Sequence, residues 1–311
     1  MTILTIVLIS FVVTFILIPI ARRTAISFGV YDKPNEIKAH KAPTPYLGGV
    51  AILLGFVLSL SFVIFFSHLA QADVQKLLVI LLGGVAFSFL GLIDDIISID
   101  KAYIKLFIEI IIVSLVFSFG IGVNLFTSIP LNFLLTIFWF IFITHAFNNI
   151  DGLDGLSGGI AFIISVFWLF IIFLGFSSSI SGFVVSGAIV GASAAYLVFN
   201  LPPAKIFMGD AGSLFLGFVL SSIPLLSINF YATPSRIIPV VIVFAYIIFD
   251  STFVIIKRLM SHRSIFTGDL NHTYNLIQNK TNNVKKTLVI VYGLSAVLII
   301  IASVVLKLNI F

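Results

Sequence analysis

The chain has 311 residues, 60% of them hydrophobic and 9% charged, with a formal net charge of +5 and a mean hydropathy of +1.24. A soluble domain carries about 25% charged residues, which excludes a water-soluble globule, and the continuous apolar runs exclude the alternating pattern of a β-barrel. There are no cysteines, so disulfides and thiolate chemistry are excluded too.

A helix of about 20 apolar residues crosses the hydrocarbon core of a bilayer. The pattern predicts an all-α polytopic membrane protein, one domain over residues 1–311, with about ten spans. They fall roughly at 2–20, 46–67, 77–93, 104–121, 129–144, 158–176, 182–199, 213–230, 237–256 and 287–308. The first has no basic segment before it and no small-residue cleavage site after it, so it reads as a transmembrane helix. Arg22 and Arg23 follow directly.

The first connection holds DKPNEIKAHKAPTPYLGG (32–49). Pro43 and Pro45 stiffen it, and Lys38, His40 and Lys41 could either meet phosphates or simply be a basic loop. Asp94 and Asp95 close the third span. Adjacent acids repel unless a cation or a shared proton intervenes. They mark either a solvated helix end or a metal or general-base station.

The joint HAFNNIDGLDGLSGGI (145–160) carries the densest signal. Asn148, Asp151 and Asp154 are spaced by three and would share a face on a helical turn. Four glycines beside them permit close approach of backbone or ligand. Hard oxygen ligands among glycines suit Mg²⁺ and phosphates. Asp210, in PPAKIFMGDAGSLFLGF, is expected just before an eighth helix starting near Gly212. It is either an ordinary N-cap or a place where a cation and an anion bind together. Asp250 lies inside the ninth span, at a cost that calls for a buried polar partner. In the last long connection Arg263 is one of several basic residues able to orient anions. His272 is either an anion contact or a solvated loop residue.

Of 17 Lys and Arg, 14 fall in odd-numbered connections. The positive-inside rule then places those connections in the cytoplasm and both termini outside. Eleven of the twelve carboxylates lie in or beside the same connections. Carboxylates barely affect topology, so a single cytoplasmic active surface is the expected cause. Longer inner loops that merely collect polar residues are the alternative.

PTPYLGG, GLIDD, NNIDGLDGLSGG and FMGDAGS stand in this order on alternate connections. In this the chain resembles the polyprenyl-phosphate N-acetylhexosamine-1-phosphate transferases, glycosyltransferase family 4. Members include undecaprenyl-phosphate GlcNAc-1-phosphate transferases and phospho-MurNAc-pentapeptide translocases. The resemblance implies an Mg²⁺-dependent transfer, with Mn²⁺ as a substitute, of a sugar 1-phosphate from a UDP-N-acetylhexosamine to polyprenyl (undecaprenyl) phosphate. The products would be a polyprenyl-diphospho-sugar and UMP, at the inner face of the cytoplasmic membrane, in cell-envelope glycan synthesis such as O-antigen or teichoic acid.

It implies roles as well. Asp94 would deprotonate or position the lipid phosphate, with Asp95 and Lys105 beside it. Asn148, Asp151 and Asp154 match the family's acidic motif, and Asp210 would bind the metal, with Asp151 as a second ligand. Asn200 and Phe207 would hold and stack the uracil. Asp250 matches an acid before the basic pair Lys257–Arg258. The chain departs from the family at His145, where Asn is usual, and at Glu109, where Gln is common. It keeps only His272 of a terminal histidine cluster. These departures favour a UDP-N-acetylhexosamine over the pentapeptide donor, which stays as the alternative. A two-step route through an aspartyl-phosphate is a mechanistic rival. From other classes, a cation-coupled transporter or a protein that only binds the lipid carrier would also place acids in a membrane. No nucleic-acid partner is expected, and a homodimer is compatible with the sequence.

Overall fold

The computed structural model describes residues 2–32, 43–97, 101–228, 230, 234–262 and 271–308. His40, Lys41 and Arg263 lie outside them. The first half comprises α1 (Ile3–Ser27), β1 (Tyr31–Asp32), β2 (Thr44–Pro45), α2 (Gly48–Phe66), α3 (Gln71–Ile97), α4 (Ala102–Ser118) and α5 (Ile129–Asn149). The second comprises α6 (Leu156–Phe173), α7 (Ile180–Asn200), α8 (Gly209–Ser227), α9 (Ile237–Val243), α10 (Ala245–Met260), α11 (Thr273–Thr281) and α12 (Val284–Leu308). Strands β1 and β2 form a two-residue antiparallel ladder, Tyr31 opposite Pro45 and Asp32 opposite Thr44. The protein is an all-α polytopic membrane protein. Among the described residues eight helices are each long and apolar enough to cross a bilayer, and α9 with α10 makes a ninth span if the bent pair counts as one. Helix α4 has 17 residues.

The bundle is built around α8. Of its span 83% is buried, against 22% for α1 and α12, which turn broad apolar faces outward. Lipid is as apolar as Leu, so membrane helices associate through close backbone packing at small residues. Helix α8 supplies them at Ala211, Gly212, Ser213, Gly217, Ser221 and Ser222, all buried. It packs on α3, α5 and α2, and α7 lies between it and α1. At the α2–α8 crossing a Cβ on Gly212 would stand 2.7 Å from the Gly49 Cα. Gly212→Ala is therefore expected to wedge the helices apart at a cost of about 1–3 kcal/mol, read as a lower unfolding temperature in detergent.

Three boundaries differ from expectation. Helix α3 runs past residue 93 to Ile97, so Asp94 and Asp95 lie in its last turn. Helix α8 begins at Gly209 rather than near Gly212, which puts Asp210 in its first turn. The expected single span at 237–256 is two helices bent by 71°. The break is at Phe244, which packs edge-on against Trp139 with ring centroids 5.4 Å apart.

Candidate functional site

All the expected site residues that the structure describes collect at one end of the bundle. They come from the C-terminal ends of α3, α5 and α7, the N-terminal ends of α4 and α8, the joints between α5 and α6 and between α7 and α8, and His272 just before α11. The construction starts with α8. A helix N-terminus leaves backbone N–H groups without partners. Here the Asp95 carboxylate, from α3, accepts the amides of Asp210 (3.0 Å) and Ala211 (3.1 Å) with its two oxygens. The approach is close because Gly91 leaves room for the Asp210 backbone, and Gly209 turns beneath Asp95 with a φ of +69°. The Tyr46 hydroxyl donates to the Asp95 carbonyl at 2.8 Å. Asp95 thus fixes the start of α8 and aims Asp210.

Around Asp210 the other groups assemble in pairs. The Asn148 amide donates to the Asp210 carboxylate at 3.0 Å and to the Ser213 hydroxyl at 2.7 Å. Lys105, near the start of α4, donates to Asp94 at 2.5 Å. The Asp94 and Asp210 carboxyl groups lie close enough for each to act on the other's charge. Asp151 accepts from the Ser157 hydroxyl, and its charge acts on those of Asp210 and Asp95. Burial pushes the Asp151 carboxyl up to about 8, with the Ser157 hydrogen bond opposing the rise and the neighbouring acids adding to it.

This donor set fits a hard divalent cation. Among the described residues no three His, Cys, Asp or Glu side chains form a ready cage. Mg²⁺, however, normally takes one or two carboxylates and completes its shell with water and substrate phosphates. Asp94 and Asp210 with an amide and a third carboxyl group, Asp151, beside them crowd acidic oxygens into one place, which a cation would relieve.

Several expected residues hold neighbouring segments together. Residues 150–155 form turns, not a helical face, so Asp151 and Asp154 diverge. Asp154 accepts the Ala204 amide at 2.9 Å and ties this joint to the segment before α8. Asn200 is buried. Its carbonyl accepts the Gly155 amide and its amide donates to the Ile206 carbonyl, both at 2.9 Å, so each end of the side chain holds backbone. Phe207 is half-buried, with its amide on the Pro45 carbonyl (2.9 Å) and its own carbonyl on the Gly48 amide (2.9 Å). His272 is neither solvated nor loose. Its Nδ1 lies 2.7 Å from the buried Asp250 carboxylate, which also accepts the Thr273 amide (2.6 Å) and hydroxyl (2.5 Å). That cluster pins α11 to α10, and Tyr274 then covers Gly152. Asp250 has the partner its cost demanded.

Tyr46, Ser157, Ser213 and Thr273 were not singled out by the sequence. Each lies within six residues of a motif acid or His272 or inside PTPYLGG, and adjacency was the only signal.

Fold and site together define a polytopic membrane protein with one carboxylate-lined site at one end of its helices. Residues 77–228 match the family described as glycosyl transferase family 4. The chain is 29% identical over 310 residues to a Bacillus subtilis (strain 168) protein described as a probable undecaprenyl-phosphate N-acetylglucosaminyl 1-phosphate transferase, covering 96% of this chain and 84% of that one. It is 35% identical to the phospho-N-acetylmuramoyl-pentapeptide-transferase of Halalkalibacterium halodurans, over 71% of this chain and 73% of that one. With the corresponding Bacillus velezensis protein the identity is 33%, over 87% of each. The chain belongs to glycosyl transferase family 4 and is a phosphosugar transferase.

Proposed function

We propose that this protein transfers an N-acetylhexosamine 1-phosphate from a UDP-sugar to polyprenyl phosphate, releasing UMP, at the cytoplasmic face of the cytoplasmic membrane. The observation that carries the reading is the juxtaposition of Lys105–Asp94 with Asn148–Asp210 on an α8 fixed by Asp95. The Bacillus subtilis relative, described as acting with undecaprenyl phosphate and an N-acetylglucosaminyl 1-phosphate group, supports it over most of the chain. One substrate is water-soluble and the other lives in the bilayer, so their phosphates meet only where the membrane ends, and this site is at the bundle's end.

Lys105 holds Asp94 and contributes positive charge near the acceptor phosphate. Asp94 takes the acceptor's proton, so that a phosphate oxygen can attack the β-phosphorus of the donor. The bond from that phosphorus to the UMP oxygen breaks as the new one forms. Asn148 keeps the Asp210 carboxylate in place. Asp210, with Asp151, would hold Mg²⁺, which supplies neutralisation of the diphosphate charge. The amides at the start of α8 add a favourable field for anions.

The test is UMP release by purified protein in lipid with undecaprenyl phosphate and Mg²⁺. UDP-GlcNAc is expected to support turnover. The two pentapeptide-transferase relatives favour a second reading, so UDP-MurNAc-pentapeptide is offered in parallel. Turnover with that donor alone would reassign the substrate. No UMP from any UDP-sugar, with the lipid still bound, would sink the transferase reading.

A further inference from the structure

One polar pair stands apart from the machinery described above. Glu109 of α4 is fully buried, and its Oε2 lies 2.8 Å from Nε2 of His145 on α5. The other oxygen, Oε1, is buried with no hydrogen-bond partner among the described residues. The His145 side chain is 41% exposed, and its Nδ1 makes no hydrogen bond with any described residue.

Placement follows from helical spacing. Glu109 is four residues beyond Lys105 on α4, and His145 is three residues before Asn148 on α5, so each shares a helix face with a site residue. The pair therefore lies one turn, about 5 Å, deeper along the bundle than Lys105–Asp94 and Asn148–Asp210. Farther from the site end, on the outward side of α3 and α4, Leu78, Leu82, Ile112 and Leu115 line a largely apolar cavity of about 560 Å³ that reaches Gln71 and Phe119.

The chemistry of the pair fixes what His145 offers. A carboxylate buried away from water is stable only within a neutral unit. Two arrangements achieve this: carboxylate with imidazolium, or carboxylic acid donating to a neutral ring at Nε2. Both leave a hydrogen on Nδ1. Glu109 thereby makes Nδ1 a donor, on a ring that is open on one side. A donor below the end of the bundle, with an apolar cavity farther from that end, suits an anion on a hydrocarbon chain, not a soluble nucleotide.

We propose that His145 donates from Nδ1 to the phosphate of the polyprenyl acceptor, and that Glu109 is the positioning residue that keeps the proton there. The inference rests on the transferase reading above. Its test is a double-mutant cycle with UMP release and unfolding temperature as readouts, titrating undecaprenyl phosphate and UDP-sugar separately. His145→Asn is expected to raise the acceptor KM about tenfold and to leave the donor KM within about twofold. Glu109→Gln is expected to raise the acceptor KM by a smaller factor, because a glutamine can either accept from Nε2–H or donate to Nε2 and no longer holds the hydrogen on Nδ1. The double variant E109Q/H145N replaces the pair with two amides that satisfy each other. Its unfolding temperature is expected to return toward that of the parent while its acceptor KM stays raised. An acceptor KM restored in the double variant, or unchanged in His145→Asn, would mean that the pair only packs the helices and would overturn the proposal. Absence of UMP release by the parent protein is a different result. It would remove the transferase reading and this inference with it.

Discussion

Asp210→Asn is expected to lower UMP release by about 10³-fold or more while the protein still folds. The fold survives because the Asn side chain can still accept from Asn148, and because the amides of residues 210 and 211 stay on Asp95. What disappears is the negative charge at the place where α8, Asn148 and Asp94 converge. The change should appear in kcat at saturating substrates, as for an interaction made in the transition state. A metal titration accompanies the measurement. The Asp151 carboxyl is held up to about 8 by burial, and a cation must displace that proton. Apparent Mg²⁺ affinity of the parent protein should therefore rise as pH increases through about 8. Calorimetry at several pH values reads both the affinity and the proton release. Full activity of Asp210→Asn with Mg²⁺ would remove Asp210 from the reaction.

The second large effect belongs to Asp95, and it is of a different kind. Asp95→Ala leaves the amides of Asp210 and Ala211 without their acceptors at a buried helix start. Losing charge-assisted hydrogen bonds of this sort costs about 1.5–3 kcal/mol each. Stability and activity should fall together, because the residue that aims Asp210 is gone. Asp94→Asn should separate the two: activity lost, unfolding temperature close to the parent's, since Asp94 faces Lys105 rather than a helix end. Asp95→Asn keeps one acceptor oxygen and should fall between. Thermal unfolding in detergent beside UMP release distinguishes the three variants. Equal stability losses in Asp94→Asn and Asp95→Ala would contradict the division of labour.

How much of this was legible beforehand depends on the residue. The acids announced themselves, because a carboxylate in so apolar a chain needs a reason, and their positions on alternate connections placed them at one end. Their partners were less visible. Asp94 and Asp95 are neighbours in sequence with different geometry: one meets Lys105 and the other caps a helix 115 residues away. Residue types alone cannot reveal that. Asn200 joins two backbone segments, which its residue type does not reveal, since an amide serves a base or a backbone equally well. Glu109 and His145 were noted separately as departures from the family, and only packing shows that they are one pair. The bend at Phe244 left no trace, since neither proline nor glycine marks it and hydropathy is blind to direction. His40, Lys41 and Arg263 stay as sequence expectations.

The capping of α8 by Asp95 also sets a clock on biosynthesis. The carboxylate enters the membrane with α3, early in translation, while the amides it must meet arrive with α8, after four further helices have been made. Until then Asp210 is not yet part of the chain, and Asp94 and Asn148 have no common partner. A nascent chain halted before α8 would carry most of the polar residues of the site and none of its geometry. Activity therefore cannot begin before α8 has taken its place in the centre of the bundle.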